Sequence, residues 1–181
     1  MRVVTLLATL ALAVPAAAGA QSPPPPASTD APAAKSVTAA ADIEGQVLVA
    51  LNAVRAQHGL VPLRVNRGLA RAARGHSREM ASDGYFQHAS HDGSAFWTRI
   101  RPLYRPLPRR SWRAGENMVW SSPALSADQA IQMWMASPPH RKNILTPGWR
   151  DIGIGGVHAL AAPGVYKGLD VTILTADFGV R

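Results

Sequence analysis

The chain contains no cysteine. That absence excludes disulfides, thiolate metal sites and thiol nucleophiles, so stability rests on packing and hydrogen bonding. Membrane-length apolar runs are missing as well. The apolar N-terminal stretch from Val3 to Val14 covers twelve residues, too few for a helix to cross a bilayer, and no transmembrane anchor is expected. Acidic side chains are scarce, 11 Asp and Glu against 19 Lys and Arg, for a formal net charge of +8. A balance this basic points to anionic partners.

What is present begins with an export signature. Met1-Arg2 is a minimal positive segment, Val3 to Val14 is the apolar segment, and Ala18-Gly19-Ala20 supplies small residues for a signal peptidase. Residues 1–20 are therefore expected to be a signal peptide cleaved after Ala20, sending the protein to the periplasm or the medium. For an exported chain the anionic partners are lipid head groups or envelope polymers. Nucleic acid is not expected, since neither the compartment nor any motif fits it. Residues 21–41 are rich in Pro, Ala, Ser and Thr and are expected to be an extended tether. The remaining stretch, 42–181, is about the length of one domain with a real core.

Within that stretch, Ile43, Val47, Ala50, Leu51 and Val54 recur at helical spacing, predicting a helix over 42–57 stopped near Gly59. Asn66 is a good N-cap for a second helix reaching Asp83, with Gly84 to end it. On its inner stripe Leu69, Ala73, His76 and Met80 step by four, three and four. A short helix is expected over 94–100, and an irregular Arg- and Pro-rich segment over 101–114. Ser126-Ala127-Asp128-Gln129 is a capping box, and Ser137-Pro138 is expected to cap and launch another short helix. Ile152 and Ile154 alternate with glycines, and Val171, Ile173 and Thr175 mark a second strand. Helices first and strands last predict an α+β domain with helices packed on an antiparallel sheet.

Three motifs carry ionisable groups: Tyr85-Phe86-Gln87-His88, Gly115-Glu116-Asn117, and Ser137-Pro138-Pro139-His140-Arg141-Lys142-Asn143-Ile144-Leu145. Two imidazoles and a carboxylate in one cleft could hold a metal, move a proton or orient a polar ligand. His88 and His140 are candidate zinc ligands, with Glu116 or water completing the set. The alternative is a hydrogen-bonded polar cleft with no metal. His76 is either a core histidine on its helix stripe or a third imidazole bordering that cleft. Glu116 either braces a turn or lines the cleft, or does both. Gly75-His76-Ser77-Arg78-Glu79 lacks the second glycine of a nucleophile elbow and lies within a helical pattern, so it is set aside. His88-Ala89-Ser90-His91 offers a histidine pair at a spacing common by chance. The segment 99–113 places six arginines among aromatics. Arg105, Arg109, Arg110 and Arg113 are candidate contacts for phosphate or carboxylate groups, unless the segment is simply a solvated loop. Trp120, Trp134 and Trp149 are expected as core or cleft walls.

In this order and spacing the motifs resemble the CAP superfamily of cysteine-rich secretory, antigen 5 and pathogenesis-related proteins, in a cysteine-free bacterial form. The likeness also takes in Leu51-Asn52-Ala53-Val54-Arg55, the Leu69-to-Met80 helix, Gly153-Ile154-Gly155 and Phe178-Gly179. It implies a three-layer α-β-α sandwich with a central antiparallel sheet (a CAP or SCP domain) over 42–181, and a cleft lined by His88, Glu116 and His140. Many eukaryotic members carry a second glutamate three residues after the helix tryptophan. Counted from Trp134, that position is Ser137 here, so the second carboxylate is missing. The function expected from the resemblance and the charge is a non-enzymatic binding module for lipid or anionic envelope components. The alternative is a zinc-assisted hydrolase using His88, His140 and Glu116.

Overall fold

The computed structural model describes residues 33–181. The expected signal peptide and residues 21–32 of the expected tether lie outside the described residues. The end of that tether is corrected by the structure. Ser36–Ala39 forms strand β1, which pairs antiparallel with Val157 to Leu160 of strand β4 (Asp151–Ala162). The domain thus extends at least to Ser36 rather than starting at 42. Ser36-Val37-Thr38-Ala39 has the β-branched residues an edge strand favours, and the long strand β4 supplies a ladder for it.

Helix α1 (Ala41–Gln57) buries Ile43, Val47 and Leu51, as their spacing predicts. A two-residue strand β2 (Arg64–Val65) leads into α2 (Arg67–Asp83). Asn66 caps α2 as expected, its side-chain oxygen accepting the N–H groups of Gly68 (2.9 Å) and Leu69 (3.2 Å). Gly84 ends the helix in the left-handed region at φ 71°, which a residue without Cβ adopts freely. The short α3 (Phe96–Ile100) follows. Strand β3 (Arg113–Ser121) comes next and departs from the expectation that strands come last. Its opening Arg-Ala-Gly-Glu-Asn has no apolar alternation to betray it. Helix α4 (Ala127–Ala136) carries the predicted capping box, and α5 (Pro138–Ile144) starts at Pro138. Ser137 occupies the N-cap of α5, although its hydroxyl makes no capping bond. Strands β4 and β5 (Leu169–Val180) complete the domain.

The sheet order is β1-β4-β5-β3, antiparallel throughout that path, with β2 added parallel to β4. Layers form on both faces, giving the α-β-α sandwich. Ile152, Ile154, Leu174, Ala176 and Phe178 face one way and pack with α1, α4 and α5. Val157, Ala159, Val171 and Ile173 face the other way and pack with Met80 and Ala81 of α2. Helix α2 lies almost on the sheet. A Cβ on Gly153 would strike the backbone at Leu69 and Ala70, and one on Gly155 the backbone at Ala73 and Arg74. The Gly-Ile-Gly pattern is what admits the helix at that depth.

One cation inside this packing was not singled out by its sequence context. Arg55 of α1 is fully buried. Its guanidinium donates to the carbonyls of Ile144 (2.6 Å) and Thr146 (3.1 Å) at the end of α5, and to Val61 (3.0 Å). A positive charge there opposes the negative end of the helix dipole and satisfies carbonyls that the helix leaves free. Arg55→Ala is expected to cost about 2–4 kcal/mol, since it strands those buried acceptors. Urea unfolding checks this, and Arg55→Lys should recover only part of the loss because a lysine cannot reach all three carbonyls.

Candidate functional site

The cleft is assembled around the edge strand β3, and each wall has its own support. After Gly84 the chain is pinned to α2 from several sides. Tyr85 donates its hydroxyl to Glu79 (2.7 Å), and Tyr166 donates to the Tyr85 carbonyl (2.8 Å). The His76 Nε2–H donates to the Gln87 carbonyl (2.9 Å), while its Nδ1 lies 3.3 Å from Glu79. These contacts fix the backbone immediately before His88. The His88 Nδ1–H then donates to Glu116 Oε1 (2.8 Å), with Phe96 of α3 edge-on to the imidazole. Arg99 of α3 closes the other side. It donates to Glu116 Oε2, to the His88 carbonyl (2.9 Å) and to Ser90 Oγ (3.4 Å).

Successive residues of a strand point to opposite faces. Glu116 therefore faces α2 and α3, and Asn117 faces α5. Asn117 donates to the His140 carbonyl (3.1 Å) and accepts from Asn143 (3.0 Å). Trp149 Nε1 donates to the Asn143 carbonyl (2.9 Å). These bonds hold the N-terminal half of α5 at the β3 edge. Glu116 bonds His88 on one face of β3, and Asn117 bonds the His140 carbonyl on the other, so residues of all three motifs converge on this strand.

Of the two readings for His76, burial favours the core one: it is 1% exposed, and both its ring nitrogens face protein partners, so it supports the His88 loop from below. Trp134 and Trp149 are buried walls as expected, with Trp134 donating to the Met118 carbonyl (3.0 Å). Arg105, Arg109, Arg110 and Arg113 lie outside the cleft on the exposed surface beyond α3. Arg113 is in part engaged there, its guanidinium 5.7 Å from the centre of the Trp149 ring.

Two residues beside Glu116 were missed. Arg99 looked like any other member of an arginine-rich segment. Asp177 had a signal that went unused: counting on by two from Val171, Ile173 and Thr175 lands on it. Asp177 stands opposite Glu116 in the β3–β5 register, so the two side chains share a face. It is fully buried, and neither carboxyl oxygen has a hydrogen-bond partner among the described residues. Strand β5 thus sets a second carboxyl beside Glu116, while Ser137 stands at the helix position of the family's second glutamate.

The two acids are driven apart. Burial raises the Asp177 carboxyl well above the ordinary range, helped by the negative charge of Glu116 and opposed by Arg99. Burial pushes Glu116 up too, but the His88 hydrogen bond and the Arg99 charge outweigh it and hold Glu116 below its usual value. One proton on Asp177 and a carboxylate on Glu116 is the arrangement these shifts favour. His76 is lowered by burial and then by Arg99, and His140 by burial and then by His88. Both shifts favour the neutral ring.

Zinc does not fit this arrangement. Both Glu116 oxygens are taken, one by His88 and one by Arg99, and the guanidinium places a fixed positive charge where a cation would sit. The His88 nitrogen nearest Glu116 is committed as well. Among the described residues no group of three His, Cys, Asp or Glu side chains converges as metal ligands.

Comparison with known proteins agrees with the geometry. The family model described as "CAP: Cysteine-rich secretory protein family" matches residues 48–159. YkwD of Bacillus subtilis (strain 168) is 33% identical over 117 residues, covering 64% of this chain and 43% of that protein. The membrane protein YlbC of the same organism is 30% identical over 112 residues, covering 62% and 31%. The chain thus spans less than half the length of these curated relatives. Among solved structures, an extracellular protein containing an SCP domain from Bacillus anthracis str. Ames superimposes with a TM-score of 0.61 at 26% identity, covering 78% of this chain and 41% of that one. An outer surface protein from Borrelia burgdorferi also gives 0.61, at 15% identity over 81% and 98%.

The raised Asp177 sets a direction for stability. Its contribution is fully present below the carboxyl's unfolded value, about 3.9, and is lost as pH climbs through the raised folded value. Asp177→Asn should therefore be more stable than the parent at neutral pH and lose less stability on going from pH 5 to pH 8. Thermal unfolding across that range checks the sign; a variant equally destabilised at both ends would contradict the protonation scheme.

Proposed function

The chain belongs to the cysteine-rich secretory protein (CAP) family, and from that premise we propose that it is an exported, non-enzymatic module that binds anionic lipid head groups or envelope polymers. The observation that carries this reading is the surface beside the cleft. From Gly93 to Gly115 there is no acidic residue. Arg101, Arg105, Arg109 and Arg110 are exposed there, interleaved with Trp97 (44% exposed), Leu103 (37%) and Leu107 (42%). None of these arginines has an ion-pair partner among the described residues. Trp97, Arg101 and Arg105 border a shallow pocket of about 600 Å³. Arginines interleaved with a tryptophan and leucines suit a surface that is charged outside and apolar just beneath.

Helix α3 joins this surface to the cleft. Its Phe96 and Arg99 reach inward to His88 and Glu116, while Trp97 points outward. A ligand gripped by the arginines can therefore extend toward the half-exposed imidazole of His88 (side chain 53% exposed). The bonds to Glu116 make it a brace rather than a free base, which favours binding over hydrolysis. Export accords with the extracellular SCP protein among the structural matches. No helix among the described residues is long and apolar enough to cross a membrane.

Vesicle sedimentation tests this. Binding should be stronger to phosphatidylglycerol than to phosphatidylcholine vesicles and should fall with added salt. Removing two charges in Arg101→Gln/Arg105→Gln should weaken it roughly thirtyfold, at about 1 kcal/mol per arginine near an anionic surface. Equal binding to both lipids, or no salt dependence, would overturn the reading.

A further inference from the structure

The cleft uses the β3 edge of the sheet, and the opposite edge contains a break. The outer side of β4 is paired with β2 at Asp151 and Ile152 and with β1 from Val157 to Leu160, leaving residues 153–156 between them. Most outward-facing main-chain groups at the ends of this break are taken. The Ile152 carbonyl accepts from Asn66 N–H (2.8 Å), and the Gly156 carbonyl from Ala40 N–H (3.0 Å). The Gly156 N–H donates to Glu44 Oε1 (3.0 Å). Ile154 has the same parity along the strand, so its N–H and C=O also point outward. Neither finds a partner across the break among the described residues.

The break opens into a cavity of about 440 Å³ between α1 and α2. Leu48, Val65 and Ile152 supply apolar walls, and Arg67, Arg71 and Arg74 line it from α2. Arg74 is already paired with Glu44, which neutralises the cavity's acid. Arg67 and Arg71 are exposed and have no ion-pair partner among the described residues. They stand four apart, hence on one side of the helix. Gly153 lies beneath Leu69 and Ala70, and Gly155 beneath Ala73 and Arg74, so Arg71 is level with Ile154.

We infer that this break is a binding site for a short extended peptide ending in a free α-carboxylate. One peptide residue pairs with the Ile154 N–H and C=O and fills the missing rung, as strand addition does elsewhere. The carboxylate is held by Arg67 and Arg71 through charge-assisted hydrogen bonds. Small side chains rest against Leu48 and Val65, and the cavity suits about two or three such residues. The main-chain pair decides for a peptide over a fatty anion, because an acyl chain has no donor for the Ile154 carbonyl. The cavity shares no residue with the pocket beside Trp97, Arg101 and Arg105, although Arg71 also borders the groove that reaches Thr98, Arg99 and Leu103, and the two sites stand or fall independently.

The test is a titration of the ¹⁵N-labelled chain with N-acetyl-trialanine bearing a free carboxylate, followed by NMR, beside its C-terminal amide and octanoate. The free acid should shift the Ile154 amide saturably. The capped amide, or the acid with Arg71→Gln, should bind about tenfold more weakly, the worth of one charge-assisted hydrogen bond. Arg105→Gln, on the other surface, should bind like the parent. Three results would each overturn the inference: no movement of Ile154 at millimolar acid, equal binding of the capped amide, or octanoate shifting Ile154 as strongly as the peptide.

Discussion

Glu116 and Asn117 are adjacent on an edge strand, and the pleat sends their side chains to opposite faces of the sheet. One meets His88 and Arg99, from the layer of α2 and α3; the other meets His140 and Asn143, from α5. Two layers that the sheet separates are thereby tied together around its free edge. The cleft exists because this edge is uncovered and because both residues are bonded at once. A shift of register by one residue would exchange their faces and break both sets of bonds. The register is held by nine successive pairs between β3 and β5, from Arg113 with Val180 to Ser121 with Thr172, and by the core packed on either side.

The electrostatics follow from that placement. A carboxylate as buried as Glu116 needs compensation, and it receives a hydrogen bond from His88 and an ion pair with Arg99. With Glu116 ionised, the carboxyl beside it on β5 is favoured as neutral. The interior of the site therefore carries a closed ion pair beside a carboxyl pushed toward its neutral form, while the exposed arginines lie outside, in the segment after α3.

The opposite edge obeys a different constraint. Gly153 and Gly155 let α2 settle onto the sheet, and α1 approaches from the other face. The edge of β4 between them is covered by two short strands that do not meet. Closed ion pairing of Arg74 with Glu44 stabilises the margin of that break without filling it. The same helix thus serves both edges, with His76 beneath the cleft and Arg67 and Arg71 at the break.

Much of this was legible in the chain. The helices α1, α2 and α4 announced themselves through apolar spacing and caps at Asn66 and Ser126, because those signals are local and need no partner. The α-β-α architecture came through resemblance, which carries long-range information that periodicity lacks. Strand β3 did not show, since Gly115-Glu116-Asn117 is polar on both faces. Strand β1 was hidden in a composition typical of tethers. Whether His76 faced a ligand or the core, which arginine entered the cleft, and that Asp177 would face Glu116 were decided only in three dimensions. Each depends on register and layer contacts between segments far apart in the chain. Local sequence determines what a segment can form; the pairing of distant strands determines which charges are left facing one another.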